Sequence, residues 1–227
     1  MYWYDSTYIL VIIAFALSLF ASMGVNATFA RYKKISSSRG MTGAEAARKI
    51  LDDNGLYNIG VEHISGNLND HFDPRSNVIR LSDATYSDSS VAAIGVAAHE
   101  AGHAVQHAVG YVPIKVRNAI VPVVNISTQL SMPLFFIGLL LNMMGLAMVG
   151  VVLFSAALVF QLVTLPVEFD ASHRALKILS ASGMLSESEV GGARKVLGAA
   201  AMTYVAAAAA TALQLARLLL LVNRRRD

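Results

Sequence analysis

The chain of 227 residues contains no cysteine. That absence excludes a disulfide framework, a thiolate nucleophile and any Cys-ligated metal. A metal in this protein must be held by imidazole and carboxylate, the donor set of catalytic zinc sites rather than of closed Cys-rich ones. Charge is also scarce, at 15% of residues against about 25% in an average soluble domain. Hydrophobic residues make up 55%, and the net charge is only +3. Its basic residues stand mainly beside apolar segments, so they read as topology signals and not as a nucleic-acid footprint; no nucleic-acid partner is expected. No internal repeat or low-complexity linker is present apart from an alanine-rich tract at 199–212. This composition describes an integral membrane protein with one modest water-facing domain and a few spanning helices of about 20 residues each.

Against that background one stretch carries chemistry: Ala97-Ala98-His99-Glu100-Ala101-Gly102-His103-Ala104-Val105-Gln106-His107. On a helix the step from His99 to His103 rises about 6 Å, which puts both imidazoles on one face. Glu100 lies between them, able to reach a water on a shared metal without ligating it, the arrangement of a metalloprotease general base. An alanine-rich helix can carry His and Glu for solvation alone. In a chain so poor in both, however, chance yields this pattern only on the order of a few times in a thousand.

Taken in order, residues 1–30 form an N-terminal anchor. Its apolar run, 8–30, follows the interfacial aromatics Met1-Tyr2-Trp3-Tyr4 and precedes Arg31, Lys33 and Lys34. A signal peptide would carry its positive charge before a shorter run, so the segment reads as uncleaved. Residues 31–118 have soluble character. Thr42-Gly43-Ala44-Glu45 has capping-box spacing, and the helix it opens should stop at Asp53-Asn54-Gly55. Alternating residues over 58–81, punctuated by Asp73-Pro74-Arg75-Ser76, predict two or three short strands in a small antiparallel sheet. The motif helix is expected over 89–109, ended by Gly110 and Pro113. Residues 119–167 fit a hairpin of two spanning helices, 119–141 and 144–167, with Pro122 and Pro133 kinking the first. Segment 168–192 is charged and amphipathic, and 193–227 is an alanine-rich helix carrying Arg217, either transmembrane or interfacial.

Orientation follows from Lys and Arg near the segment ends. Arg31, Lys33, Lys34, Arg39, Lys115, Arg117, Arg174 and Lys177 lie on the motif side, and the hairpin turn has none. The motif domain should therefore face the cytoplasm, with Arg224-Arg225-Arg226 in conflict if the last helix crosses.

Outside the motif the most informative residue is Glu168, a carboxylate at the end of an apolar run. There an unpaired charge is costly and is a functional hypothesis by default. It can be snorkelling or favouring a helix start, or it can be the third protein ligand that a catalytic zinc needs beside an open position. His107 continues the motif face, but three ligands along one straight helix would span about 12 Å. It is better placed as a pocket wall or as a group orienting a ligand. His63, His71, His173, Tyr111 and Tyr204 are further candidates for contacts to an oxyanion. The run Asn77, Val78, Ile79, Arg80 and Leu81 is expected to be an edge strand that pairs with an extended substrate.

His99-Glu100-Ala101-Gly102-His103, the anchor before it, the apolar hairpin after it and Leu165-Pro166-Val167-Glu168-Phe169-Asp170-Ala171-Ser172 together resemble the YugP-type membrane zinc metallopeptidases of bacteria. The resemblance extends to Asp73-Pro74-Arg75-Ser76-Asn77-Val78-Ile79-Arg80-Leu81 and covers nearly the whole chain. More distantly the chain looks like the membrane gluzincins of the HtpX kind, with an HExxH helix and a later helix opening on the third-ligand Glu. This implies a mainly α integral membrane protein whose transmembrane helices accompany a small α+β zincin-like domain carrying the HExxH helix. It implies a zinc-dependent endopeptidase of the bacterial inner membrane, with one zinc ion per chain held by His99, His103 and Glu168, and Glu100 as general base. Its partners would be a peptide or membrane-protein substrate and the bilayer. The distant relatives carry an Asp four residues after the Glu, where this chain has Ser172; Asp170 stands two residues after, and both remain open as the group behind a ligand. Two other readings are a site-2-protease-like intramembrane enzyme, which would want an Asp-Gly after the motif, and a zinc-binding scaffold acting through partners.

Overall fold

In the computed structural model, residues 6–224 are described. The aromatic run at 1–4 and the basic residues Arg225 and Arg226 lie outside them. The elements in order are α1 (Tyr8–Lys33), α2 (Gly43–Asp53), β1 (Gly60–Ile64), β2 (His71–Asp73), β3 (Val78–Ser82), α3 (Val91–Ala108), α4 (Val112–Leu140), α5 (Met144–Ala181) and α6 (Glu187–Asn223). The protein is mainly α-helical with one small three-stranded sheet. Among the described residues four helices, α1, α4, α5 and α6, are long and apolar enough to cross a membrane. The chain divides into two compact units, one of residues 1–22, 116–165 and 202–227, the other of 23–115 and 166–201.

In the first unit apolar side chains point outward: Ile12, Phe15 and Phe20 of α1, Leu140 of α4 and Val152 of α5 are all exposed. Water would penalise such a surface and lipid would not. Its own small core joins Phe135, Ala147, Val151, Leu218 and Val222. Gly138 permits the α4–α5 hairpin to close, since a Cβ there would overlap the backbone of Ala147. Arg217 is not a stray charge in α6: its guanidinium lies 4.6 Å from the Tyr8 ring centre, and Arg224 donates to Ser6 Oγ at 2.8 Å. The start of α1 therefore lies beside the end of α6.

The second unit holds the larger core, around Ile50, Leu51, Ile79, Leu81, Ile94 and Leu179, all fully buried. Each such side chain contributes about 1.5–3 kcal/mol by leaving water. The Thr42–Glu45 capping box is formed in both directions, and Gly55 takes the left-handed conformation, φ 72°, just past the end of α2.

Two expectations are corrected here. The sheet is mixed, in order β1-β3-β2, with β3 parallel to β1 and antiparallel to β2. Alternation reports which face is buried and not which neighbour a strand finds. The loop after β1 carries the chain past the position of β3, where Asp70 holds Ser82 N–H at 2.8 Å and Asp83 holds Gly66 N–H at 2.8 Å. Consequently Asn77, Val78, Ile79, Arg80 and Leu81 do not form an edge strand. Val78–Leu81 run through the centre of the sheet with partners on both sides, as the complete burial of Ile79 and Leu81 requires. The open edges belong to β1 and β2. In addition, Pro113 sits in the first turn of α4, where its missing N–H costs nothing, and α5 runs unbroken from the apolar hairpin through Pro166 and Glu168.

Candidate metal centre

Everything in the site comes from α3, β2 and the later part of α5, all in one unit. Ser90 caps α3 by accepting from Ala93 N–H at 3.2 Å, and one turn after another of buried alanine leads up to the histidines. Small residues here have a purpose. A Cβ on Gly102 would lie 2.7 Å from the carbonyl oxygen of Ala171, so only glycine lets α3 and α5 approach this closely. That contact places Glu168, about one turn before Ala171, and Ser172, the residue next to it, opposite the two histidines.

Glu168 Oε2 lies 3.3 Å from His99 Nε2 and 3.6 Å from His103 Nε2. One donor atom from each of the three residues falls within 4.8 Å of the others. The cluster is buried, with Glu168 3% and His103 8% exposed. Burial works against a charged His103, but hydrogen bonding to Glu168 and the negative charge of Glu100 outweigh it and raise its pKa. The field at the cluster thus favours a cation. Bonds of about 2.0–2.1 Å at tetrahedral angles separate neighbouring ligand atoms by about 3.3 Å, which the two measured separations already match. Two imidazoles and a carboxylate around an open fourth direction are the donor set of catalytic zinc, and the residues fit that ion.

The far sides of both rings are engaged. His99 Nδ1 meets Ser172 Oγ at 3.1 Å, and His103 Nδ1 meets Gln106 Oε1 at 3.0 Å. Asp170 does not touch a histidine; its carboxylate accepts from Gln106 Nε2 at 2.8 Å and from Arg174 Nε at 2.6 Å. Ser172 therefore stands behind one candidate ligand directly, and Asp170 behind the other through an intermediary. Glu100, 8% exposed, accepts from the backbone N–H of Phe72 on β2 at 3.0 Å.

Other sequence candidates fall away from the cluster. His107 is exposed and packs edge-on against Phe72 at 5.9 Å. His173 is exposed on the neighbouring face of α5 and lines a surface cavity with Lys177 and Arg194. His63 pairs with Asp83 at 2.7 Å, His71 with the carbonyl of Asn69 at 2.9 Å, and the Tyr111 ring lies under Arg174. Tyr204 belongs to the other unit. Sequence reasoning missed Gln106 and Phe72. Gln106 stands three residues beyond His103 on the same helical face, a signal that was available; the Phe72 amide carried none.

The sequence model of the family described as "Putative neutral zinc metallopeptidase" matches residues 7–223. The chain belongs to that family. In this metallopeptidase family it is similar to the protein named "Putative membrane protease YugP" of Bacillus subtilis (strain 168), with 47% identity over 218 residues, 96% of this chain and 97% of that protein. Among solved structures there is no significant match. For a zinc metallopeptidase family member with four apolar helices, the His99-His103-Glu168 cluster is a group able to bind the metal.

Proposed function

We propose that this chain is a membrane-embedded zinc endopeptidase in which His99, His103 and Glu168 hold one zinc ion and Glu100 is the general base. The observation that carries the reading is the convergence of both Nε2 atoms on one oxygen of Glu168, at 3.3 and 3.6 Å. Zinc bound there supplies Lewis acidity, polarising a carbonyl and lowering the pKa of water. Glu100 takes the proton from the attacking water and passes it to the leaving amine. The Phe72 amide fixes which way that carboxylate points, leaving its second oxygen for the proton.

The substrate strand is assigned to the β2 edge in place of β3. Phe72 turns its N–H away from β3 and toward Glu100, so its carbonyl faces the same open edge and can accept from the backbone of an extended peptide. Main-chain pairing makes few demands on side chains, which suits cleavage of varied or partly unfolded chains. The active site is assigned to the cytoplasmic side, supported by the basic residues at the α1, α4 and α5 ends that adjoin the soluble segment.

Two variants of the full-length protein test this reading. Glu100→Gln should keep its zinc and lose about 10²–10⁴-fold in casein hydrolysis, and Glu168→Ala should lose most of its zinc by elemental analysis. Hydrolysis by Glu100→Gln at the wild-type rate would end the proposal.

A further inference from the structure

Gln106 is the most completely buried polar side chain near the site, at 0% exposure. Its amide makes three contacts. The nitrogen lies 2.8 Å from the carbonyl oxygen of Val167 and 2.8 Å from Asp170 Oδ2. The oxygen lies 3.0 Å from His103 Nδ1. Both partners of the nitrogen are acceptors only, so the reversed amide would set its oxygen against a carbonyl and a carboxylate. The orientation therefore has one solution, which presents the oxygen to the imidazole. An oxygen accepts, so His103 Nδ1 must carry a hydrogen, and in the neutral ring that leaves the Nε2 lone pair as the one available to a metal.

From this geometry we infer that Gln106 is a positioning residue for the metal centre, selecting the ligating tautomer of His103 and tying it to the α5 turn that carries Glu168. The inference rests on the zinc reading above. Its reach comes from where the anchors lie: Val167 and Asp170 flank Glu168 on α5, whereas His103 is on α3. One side chain thus sets the ring of one ligand and the backbone beside another. Asp170 is itself held by Arg174 Nε at 2.6 Å, and the Arg174 guanidinium lies 5.7 Å from the Tyr111 ring centre. The Tyr111 N–H in turn donates to the backbone carbonyl of Gln106 at 2.9 Å. The chain of contacts closes on itself across the end of α3. Its logic differs from that at His99, where the Ser172 hydroxyl can either donate or accept and selects no tautomer.

The test uses the full-length protein in detergent and reads zinc affinity by chelator competition together with the absorption spectrum of the cobalt-substituted form. Gln106→Leu should bind zinc about 10–100-fold more weakly, the range typical of groups that orient metal-bound histidines, with an altered cobalt spectrum. Asp170→Ala, at a half-buried position, should weaken zinc about tenfold, and Asp170→Asn, which keeps an acceptor facing Gln106, should stay within about threefold of wild type. A role in packing alone would lower the melting temperature in chelator and leave zinc affinity unchanged. Zinc affinity within threefold of wild type in Gln106→Leu overturns the inference; if that variant does not fold, Asp170→Ala decides by the same threshold. A wild-type protein that binds no zinc overturns the metal reading itself, a failure visible before any variant is compared.

Discussion

At the residue scale, carboxylates organise the sheet that borders the site. Asp73 accepts from Ser76 Oγ at 2.7 Å, from Arg75 N–H at 2.9 Å and from Arg80 Nη1 at 3.1 Å. The Ser76 and Arg75 hydrogen bonds, with that of Arg80, hold its pKa well below the usual carboxylate range. Asp83 is lowered by the Gly66 amide and by His63. A folded-state pKa below the unfolded one means that the unfolded chain takes up protons first, so the contribution is whole above about pH 4 and is lost as pH falls through the folded values. Amide protection in β2 and β3, taken relative to the intrinsic exchange rate at each pH, should therefore fall between about pH 4 and pH 2. In Asp73→Asn that fall should be smaller, because one of the two linked groups is gone. The two histidines of the cluster and the glutamate between them were placed by the sequence, since their spacing along α3 is set by helical repeat alone. The place of Gln106 beside His103 on one helical face was readable too, but its bonds to Val167 and Asp170 were not, because they depend on which turn of α5 arrives opposite it.

At the scale of elements, the pairing of α3 with α5 decides whether a site exists. Gly102 sits inside the motif at a place where a side chain would press on Ala171. Gly102→Ala should cost about 1–3 kcal/mol as an overpacked contact and should weaken zinc binding as well, because α5 must retreat with Glu168 on it. Chemical unfolding measured beside zinc titration checks this; loss of stability with unchanged zinc affinity would show that α5 bends without moving Glu168. The capping box and the place of the α4–α5 turn were readable locally; the extents of the two helices were not, since α4 begins at Val112 and α5 ends at Ala181. Strand order was not: β1 and β3 are parallel only because the loop between them detours through β2, and no residue pattern within a strand encodes that detour.

At the scale of the whole molecule, the absence of cysteine becomes an experimental convenience. Leu141, in the α4–α5 turn, and Tyr57, beyond α2, are 61% and 75% exposed. In intact cells, Leu141→Cys should react with a membrane-impermeant maleimide and Tyr57→Cys should react only after lysis. The opposite pattern would reverse the proposed orientation. The conflict at Arg224 is eased by the contacts of that residue with Ser6 and of Arg217 with Tyr8. These basic side chains are committed to the start of α1, so they count for less as free topology signals. The number of apolar helices was legible from runs of about 20 residues; their lengths were not, since α5 continues through Glu168 to Ala181, nor was the ring that Arg217 meets, which lies near the other end of the chain.

The bond from the Phe72 amide to Glu100 makes the proposed base dependent on a strand that is closed only when the sheet is. On the proposed mechanism, a copy whose β2 has not joined the sheet would hold an unaimed carboxylate, so that hydrolysis would report on the assembly of the sheet as well as on the metal.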